Sequence, residues 1–230
     1  MPRQSPPNTE AMNECDTSAD TCCLGSNFAL LQSTSRTADV YGYSKDIKPI
    51  QNVPIVTGVT AYDCPDTNVT HLLIFNEALY YGSALDHSLI NPNQVRSYGI
   101  PFWDNPFDHD RGLCIECNDE LTIQMQQNGT KTFFNSRVPT TQELNLLSRN
   151  EISHITMTSA TAWNPCLVNL QEANRTNMDK PFVIKEQEQY GYLDSQLDEA
   201  ALHEIEPSLV CIKERMIQKT KSKQHISEVI

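Results

Sequence analysis

No stretch of this chain approaches the roughly 20 consecutive apolar residues of a transmembrane helix, and its first residues lack the apolar run of a secretory signal. Basic residues are scarce: 17 Lys and Arg stand against 29 Asp and Glu, a formal charge of −12. That balance argues against a nucleic-acid surface, because phosphate binding needs clustered Lys and Arg. No Gly-rich phosphate loop occurs, no His joins a Ser or Cys nucleophile in a local motif, and no internal repeat is visible. These absences imply an intracellular, cytoplasmic chain without membrane or nucleic-acid partners. They also make the sequons at Asn68, Asn128 and Asn174 chance matches, and the eight cysteines reduced thiols.

A hydrophobic content of 39% is enough for a core. Residues 1–13, with Pro2, Pro6 and Pro7, have almost nothing to bury and read as a disordered tail. Strand patterns follow. Val40–Tyr43 is short and aromatic, Val53–Tyr62 alternates apolar and polar residues, and Val69–Phe75 is β-branched and apolar. Cys64-Pro65-Asp66-Thr67-Asn68 is turn chemistry, so the last two runs form a hairpin. Ala78–Tyr81 carries the apolar run onward. A further hairpin is expected from Leu121–Met125 and Lys131–Phe134 around Asn128-Gly129, a strong hairpin signal. Thr140 and Glu143 have capping-box spacing, which predicts a helix start. Residues 149–182 show little period. From Tyr190, apolar residues recur at helical spacing through Leu193, Leu197, Ala201 and Ile205. That acidic stretch precedes a basic one with Lys213, Arg215, Lys219, Lys221 and Lys223.

Two segments carry chemistry. The first is Asp16-Thr17-Ser18-Ala19-Asp20-Thr21. The second is Ser88-Leu89-Ile90-Asn91, followed by Gln94-Val95 and Gly99. In this order they resemble the two halves of a retropepsin-like aspartic protease, closest to the protease region of copia-like retrotransposon polyproteins. The family's first motif is Asp-Ser/Thr-Gly-Ala, and its second is an Asn-Leu-Leu-Ser-x-x-Gln-Leu stretch in which a strand runs into a short helix. The resemblance implies a mainly β fold, a closed β-barrel or sandwich over residues 14–148, with a short helix after the second motif. An extended and helical C-terminal region would follow over 149–230.

The resemblance also implies roles. Asp16 is the candidate catalytic carboxylate, and a second copy of the chain supplies the other. Two carboxylates about 3 Å apart cannot both ionise, so they share a proton. Thr17 would hydrogen-bond across the dimer axis, and Ala19 is small where the two loops pack. Asp20 would contact the substrate main chain, with Arg96 as a possible ion-pair partner. The substrate would be a peptide of the polyprotein itself. No cofactor or metal takes part. A rival register makes Asp20 the reactive acid, and a rival function is a degenerate dimerisation or peptide-binding module without chemistry.

Three departures stand out: Ser18 replaces the family's Gly, Asn13-Glu14-Cys15 stands where an apolar strand is usual, and Asp86-His87 stands where a glycine is usual. Ser keeps the backbone N–H donor but adds a side chain, and Glu14 brings negative charge toward the site. The polar stretch Ser44–Pro49 is the candidate flap. His109, Cys114 and Cys117 could supply three zinc ligands, but no second Cys-x-x-Cys or His pair completes a structural site.

Overall fold

The computed structural model describes residues 10–42, 44, 46–108, 110–168 and 170. The described chain is mainly β. Its centre is a hairpin of β4 (Ile50–Asp63) and β5 (Thr70–Tyr80), paired antiparallel from Asp63↔Thr70 to Ile55↔Leu79. The expected turn joins them: the Asn68 N–H donates to the Cys64 carbonyl (2.9 Å), and Asn68 takes a φ of +56. Such a conformation suits Asn better than most residues.

Strand β5 is buried almost throughout because both of its faces are covered. Leu73 and Phe75 enter one core, where Phe75 meets Phe28 edge-on at 5.5 Å. Leu72 and Ile74 enter another, against Leu144 and Leu147 of helix α2 (Thr141–Ser148). That helix begins where the capping box places it, with the Thr140 hydroxyl accepting from the Glu143 N–H (3.2 Å) and the Glu143 carboxylate accepting from the Thr140 N–H (2.7 Å). Burying its two leucines contributes about 1.5–3 kcal/mol each, as an upper estimate.

The remaining strands of the main sheet are β1 (Ala11–Cys15), β2 (Cys23–Leu24), β3 (Ala29–Val40), β6 (Ser88–Ile90), β10 (Gln126–Asn128), β11 (Lys131–Ser136) and β12 (His154–Thr156). The spatial order is β10-β11-β1-β6-β2-β5-β4-β3, with β12 parallel to β5 off this path. A smaller sheet of β7 (Phe102–Trp103), β8 (Cys114–Glu116) and β9 (Thr122–Gln124) shares the Phe75 core through Phe102, Ile115 and Ile123. Helix α1 (Pro92–Ser97) follows β6, as expected after the second motif.

Several expectations need correction. The main sheet is not a closed barrel: it is an open path, and one isolated bridge between Ala61 and Arg137 draws β4 toward the end of β11. The Asn128-Gly129 hairpin forms, but its first strand is Gln126–Asn128; Thr122–Gln124 pairs with β8 instead. Gly129, at φ +61, supplies the turn's positive-φ position. Strand β1 begins at Ala11, inside the stretch read as a tail, because β11 and β6 flank it on both sides. Strand β12, in the stretch with little period, docks its His154 to Thr156 backbone on Leu72 to Ile74. The strand expected at 40–43 ends at Val40, the last residue of the long β3. The helical pattern from Tyr190 and the basic stretch after it lie outside the described residues, as does most of the tail.

Candidate functional site

Strand β1 would not form by itself, since Asn13 and Glu14 are poor strand formers. Its neighbours satisfy them. Asn13 is fully buried and donates to the Ser136 hydroxyl (2.8 Å) and the Phe134 carbonyl (3.2 Å). Its own side-chain oxygen accepts from the Asn27 amide (2.9 Å), and the Ser88 hydroxyl donates to the Asn27 side-chain oxygen (2.6 Å). Thr60 completes the network, 2.6 Å from the Ser136 hydroxyl and donating to the Asn27 carbonyl (2.8 Å). Buried polar groups cost little when all are paired. Glu14 points instead to Lys131 (2.6 Å) and His87 (3.4 Å), so its charge is matched and not aimed at Asp16 as expected. Burial is the main cause of a His87 pKa below the ordinary value.

The two motifs meet. Strand β1 runs parallel to β6, with Asn13↔Ser88, Glu14↔Leu89 and Cys15↔Ile90 in register, and the Asp16 N–H extends the ladder to the Ile90 carbonyl (2.9 Å). Asp16 therefore stands in the loop leaving β1, next to the second motif. Within that loop the Ser18 N–H donates to Asp16 Oδ1 (2.8 Å). Ser18 does not have a positive φ, so backbone conformation does not demand the glycine of the related motif. Thr17, Ser18 and Asp20 are exposed, and Asp16 and Ala19 half-buried.

Asn91 ties the loop to α1. Its side-chain oxygen caps the helix, accepting from the Asn93 N–H (2.7 Å) and the Gln94 N–H (3.0 Å), while its amide donates to the Ala19 carbonyl. Gln94 does the same from the next turn: its side-chain oxygen accepts from the Cys22 N–H (2.8 Å) and its amide donates to the Glu77 carbonyl (3.0 Å). Asn followed by Pro is a helix-start signature, which could have flagged Asn91 as a cap. Nothing local reveals its second bond. Gly25, just past the loop, is required by close approach: a Cβ there would stand 2.6 Å from the Leu85 carbonyl oxygen.

Other candidates fall elsewhere. Arg96 is not a partner of Asp20; it binds Asp104 (2.6 Å) and the Phe102 carbonyl (2.8 Å), eight or fewer residues away in sequence. The Asp20 carbonyl instead accepts from the indole N–H of Trp163 (2.9 Å), a residue sequence reasoning left out of the site. Cys22 and Cys23 are buried, which pushes the Cys22 thiol up to about 12 and the Cys23 thiol higher still. Both are core groups, not nucleophiles. Cys114 and Cys117 are buried free thiols, His109 lies outside the described residues, and no cluster of three metal-ligating side chains occurs among the described residues. Residues Ser44–Pro49, the expected flap, form the tip of the β3–β4 hairpin; Lys45 lies outside the described residues. No described helix is long and apolar enough to cross a membrane.

No protein-family model, no curated protein and no solved structure matches the chain.

Proposed function

We propose that the chain is a retropepsin-like aspartic endopeptidase of a copia-like retrotransposon polyprotein, active inside the cell as a homodimer with Asp16 from each copy. One observation carries this reading: Asp16 leaves β1 hydrogen-bonded to Ile90, with Asn91 fastening the far side of the same loop. A reactive carboxylate must be held on rigid elements at fixed geometry, and two adjacent strands and a helix start supply that.

Across the two-fold axis the two Asp16 carboxyls share one proton. The ionised one takes a proton from water as the water oxygen adds to the peptide carbonyl carbon. The protonated one gives its proton to the carbonyl oxygen. Collapse of the tetrahedral intermediate breaks the C–N bond, and the leaving nitrogen takes up a proton. Thr17 contacts its counterpart across the axis, Ala19 leaves room for it, and Asp20 faces the substrate main chain. The substrate lies extended between the Asp16 loop and the β3–β4 hairpin, which serves as flap.

A second reading, a dimerisation or peptide-binding module without chemistry, draws its support from Ser18. It carries a side chain, two residues from the acid, where the related motif has none.

The test is cleavage of a polyprotein-derived peptide by the wild type and by Asp16→Asn, with sedimentation over the same concentrations. Cleavage that rises with concentration and vanishes in Asp16→Asn is expected. A strictly monomeric, fully active particle overturns the dyad. A dimer that binds peptide without cutting it selects the module.

A further inference from the structure

The segment after β12 returns to the candidate site. Met157 N–H donates to the Ile74 carbonyl (2.7 Å), and Thr158 exchanges bonds with Asn76 (2.7 and 2.8 Å). The chain then reaches Trp163, which is anchored at two points. Its backbone N–H donates to the Glu77 carboxylate (3.1 Å), and its indole N–H donates to the Asp20 carbonyl (2.9 Å). Glu77 is an unusual anchor: it is 5% exposed, charged, and held at φ +53 in the middle of β5. A non-glycine residue there is strained, and the surroundings must override the strain. They do so through three partners. Arg36 of β3 binds the Glu77 carboxylate, Trp163 binds it from the strap, and Gln94 of α1 binds its carbonyl.

We propose that Trp163 is a specificity-determining residue of the proposed protease, forming a wall of the groove at the Asp20 end of the catalytic loop. There the indole meets an apolar side chain of the bound peptide, and Glu77 is the positioning residue that holds both this wall and β3. The inference rests on the proposed endopeptidase reading. Its physical basis is that Trp163 is half-buried, with part of its large apolar side chain open to solvent, while its indole N–H is fixed to the loop. A ring so fixed loses little freedom on binding and offers much contact area. An apolar side chain extended toward it from a strand-like peptide would be buried there.

The experiment compares wild type, Trp163→Phe, Trp163→Ala, Glu77→Gln and Glu77→Ala on peptides that vary one position at a time between Gly, Ala, Leu and Phe. Trp163→Ala is expected to collapse the Leu-over-Gly preference at one position by about tenfold, mainly through KM, the scale of one or two methylenes in an apolar pocket. Trp163→Phe should retain part of it. Glu77→Gln should keep the preference and Glu77→Ala lose it. An even change across all peptides, or none, overturns the wall.

A second readout is independent of turnover. The chain has 2 Trp, so Trp103→Phe leaves Trp163 as the single tryptophan, whose emission is read with excitation at the red edge where tyrosine does not absorb. In Trp103→Phe/Asp16→Asn, the Trp163 emission should shift on binding a Leu-containing peptide. Peptide binding detected by calorimetry without that shift overturns the inference and leaves the protease reading standing. A shift that follows protein concentration and ignores peptide assigns Trp163 to the contact between copies and overturns the wall. A wild type that neither cuts nor binds any peptide overturns the proposed function and the wall together.

Discussion

At the start of β1, beside Ser136, the Arg137 guanidinium bonds Asp63 through Nε (2.6 Å) and Nη2 (2.9 Å), and Glu143 through Nη1 (2.9 Å) and Nη2 (2.7 Å). At the other end of β1, Asp16 receives the Ser18 N–H from its own exposed loop. The first end uses carboxylates as struts. Hydrogen bonds from Arg137 hold the Asp63 and Glu143 carboxyls below the usual range, and those bonds in turn hold the guanidinium pKa up. The second end fixes the backbone of its carboxylate through Ile90 and leaves Asp16 half-buried beside the exposed Thr17 and Ser18, with Asn91 holding the far side of the loop. One strand thus lies between carboxylates spent on stability and the carboxylate to which the proposed function assigns the reaction.

The largest expected effect sharpens this division. Asp16→Asn should lower peptide cleavage by about 10³-fold or more, some 4 kcal/mol of barrier. Its melting temperature should stay within about 2 °C of wild type, since surface changes usually stay within about 0.5 kcal/mol. A large loss of stability would mean that Asp16 is a strut as well.

Arg137→Met should do the reverse. Removing a buried cation from two acids costs about 3–5 kcal/mol. The Asp63 side chain is 44% exposed and can be rehydrated, so about 2–4 kcal/mol is expected here. Calorimetry should show a melting point lower by about 5–12 °C. The pH profile follows from the same shifts. Both carboxyls are held down in the folded chain, so their stabilisation is present above the ordinary carboxylate range and drains away as pH falls through their folded values. Wild type should melt at a level temperature down to about pH 5 and then fall steeply below about pH 4, and Arg137→Met should flatten that fall.

Asn91→Ala crosses the boundary between the two roles. Loss of the α1 cap costs about 1–2 kcal/mol. Loss of the Ala19 tether should also loosen the Asp16 loop and cut kcat more than KM, as steady-state kinetics on the same peptide would register. The smallest effect belongs to Ser18→Gly. Ser18 needs no positive φ and its N–H survives the change, so activity should stay within about threefold and stability within about 1 kcal/mol. A large gain in activity would show instead that the serine side chain obstructs the acid.

Much of the sheet could be anticipated from local pattern. The alternation of residues 53–62, the turn at Cys64–Asn68 and the capping box at Thr140 all announced themselves within a few residues, whereas the strand-to-helix passage from Ser88 was implied by the resemblance. The meeting of Asp16 with Ser88–Asn91 was likewise expected only from the resemblance, spread over both segments. The unanticipated parts share one cause: their stability comes from distant partners. Asn13 looks unfit for a strand until Ser136 and Asn27 are beside it. Glu77 takes its conformation from Arg36, Gln94 and Trp163, none of them nearby in sequence. Strand β10 displaced Thr122–Gln124 from the hairpin because Cys114–Glu116 offered the latter a competing edge. Trp163 carried no local motif that could point to Asp20.

The buried network around Asn13 also fixes a time. Asn13 finds its partners in Phe134 and Ser136, separated from it by 121 and 123 residues. At about 5–20 residues per second, a ribosome takes roughly 6–25 s to pass from one to the other, and the later partner must then clear the exit tunnel. Until it does, β1 lacks the strand on its β11 side, and the loop carrying Asp16 springs from an unfinished edge. A nascent chain is thereby kept from completing the setting of the Asp16 loop until most of the described fold has been synthesised. The delay is set by the order of the strands and requires no separate inhibitor.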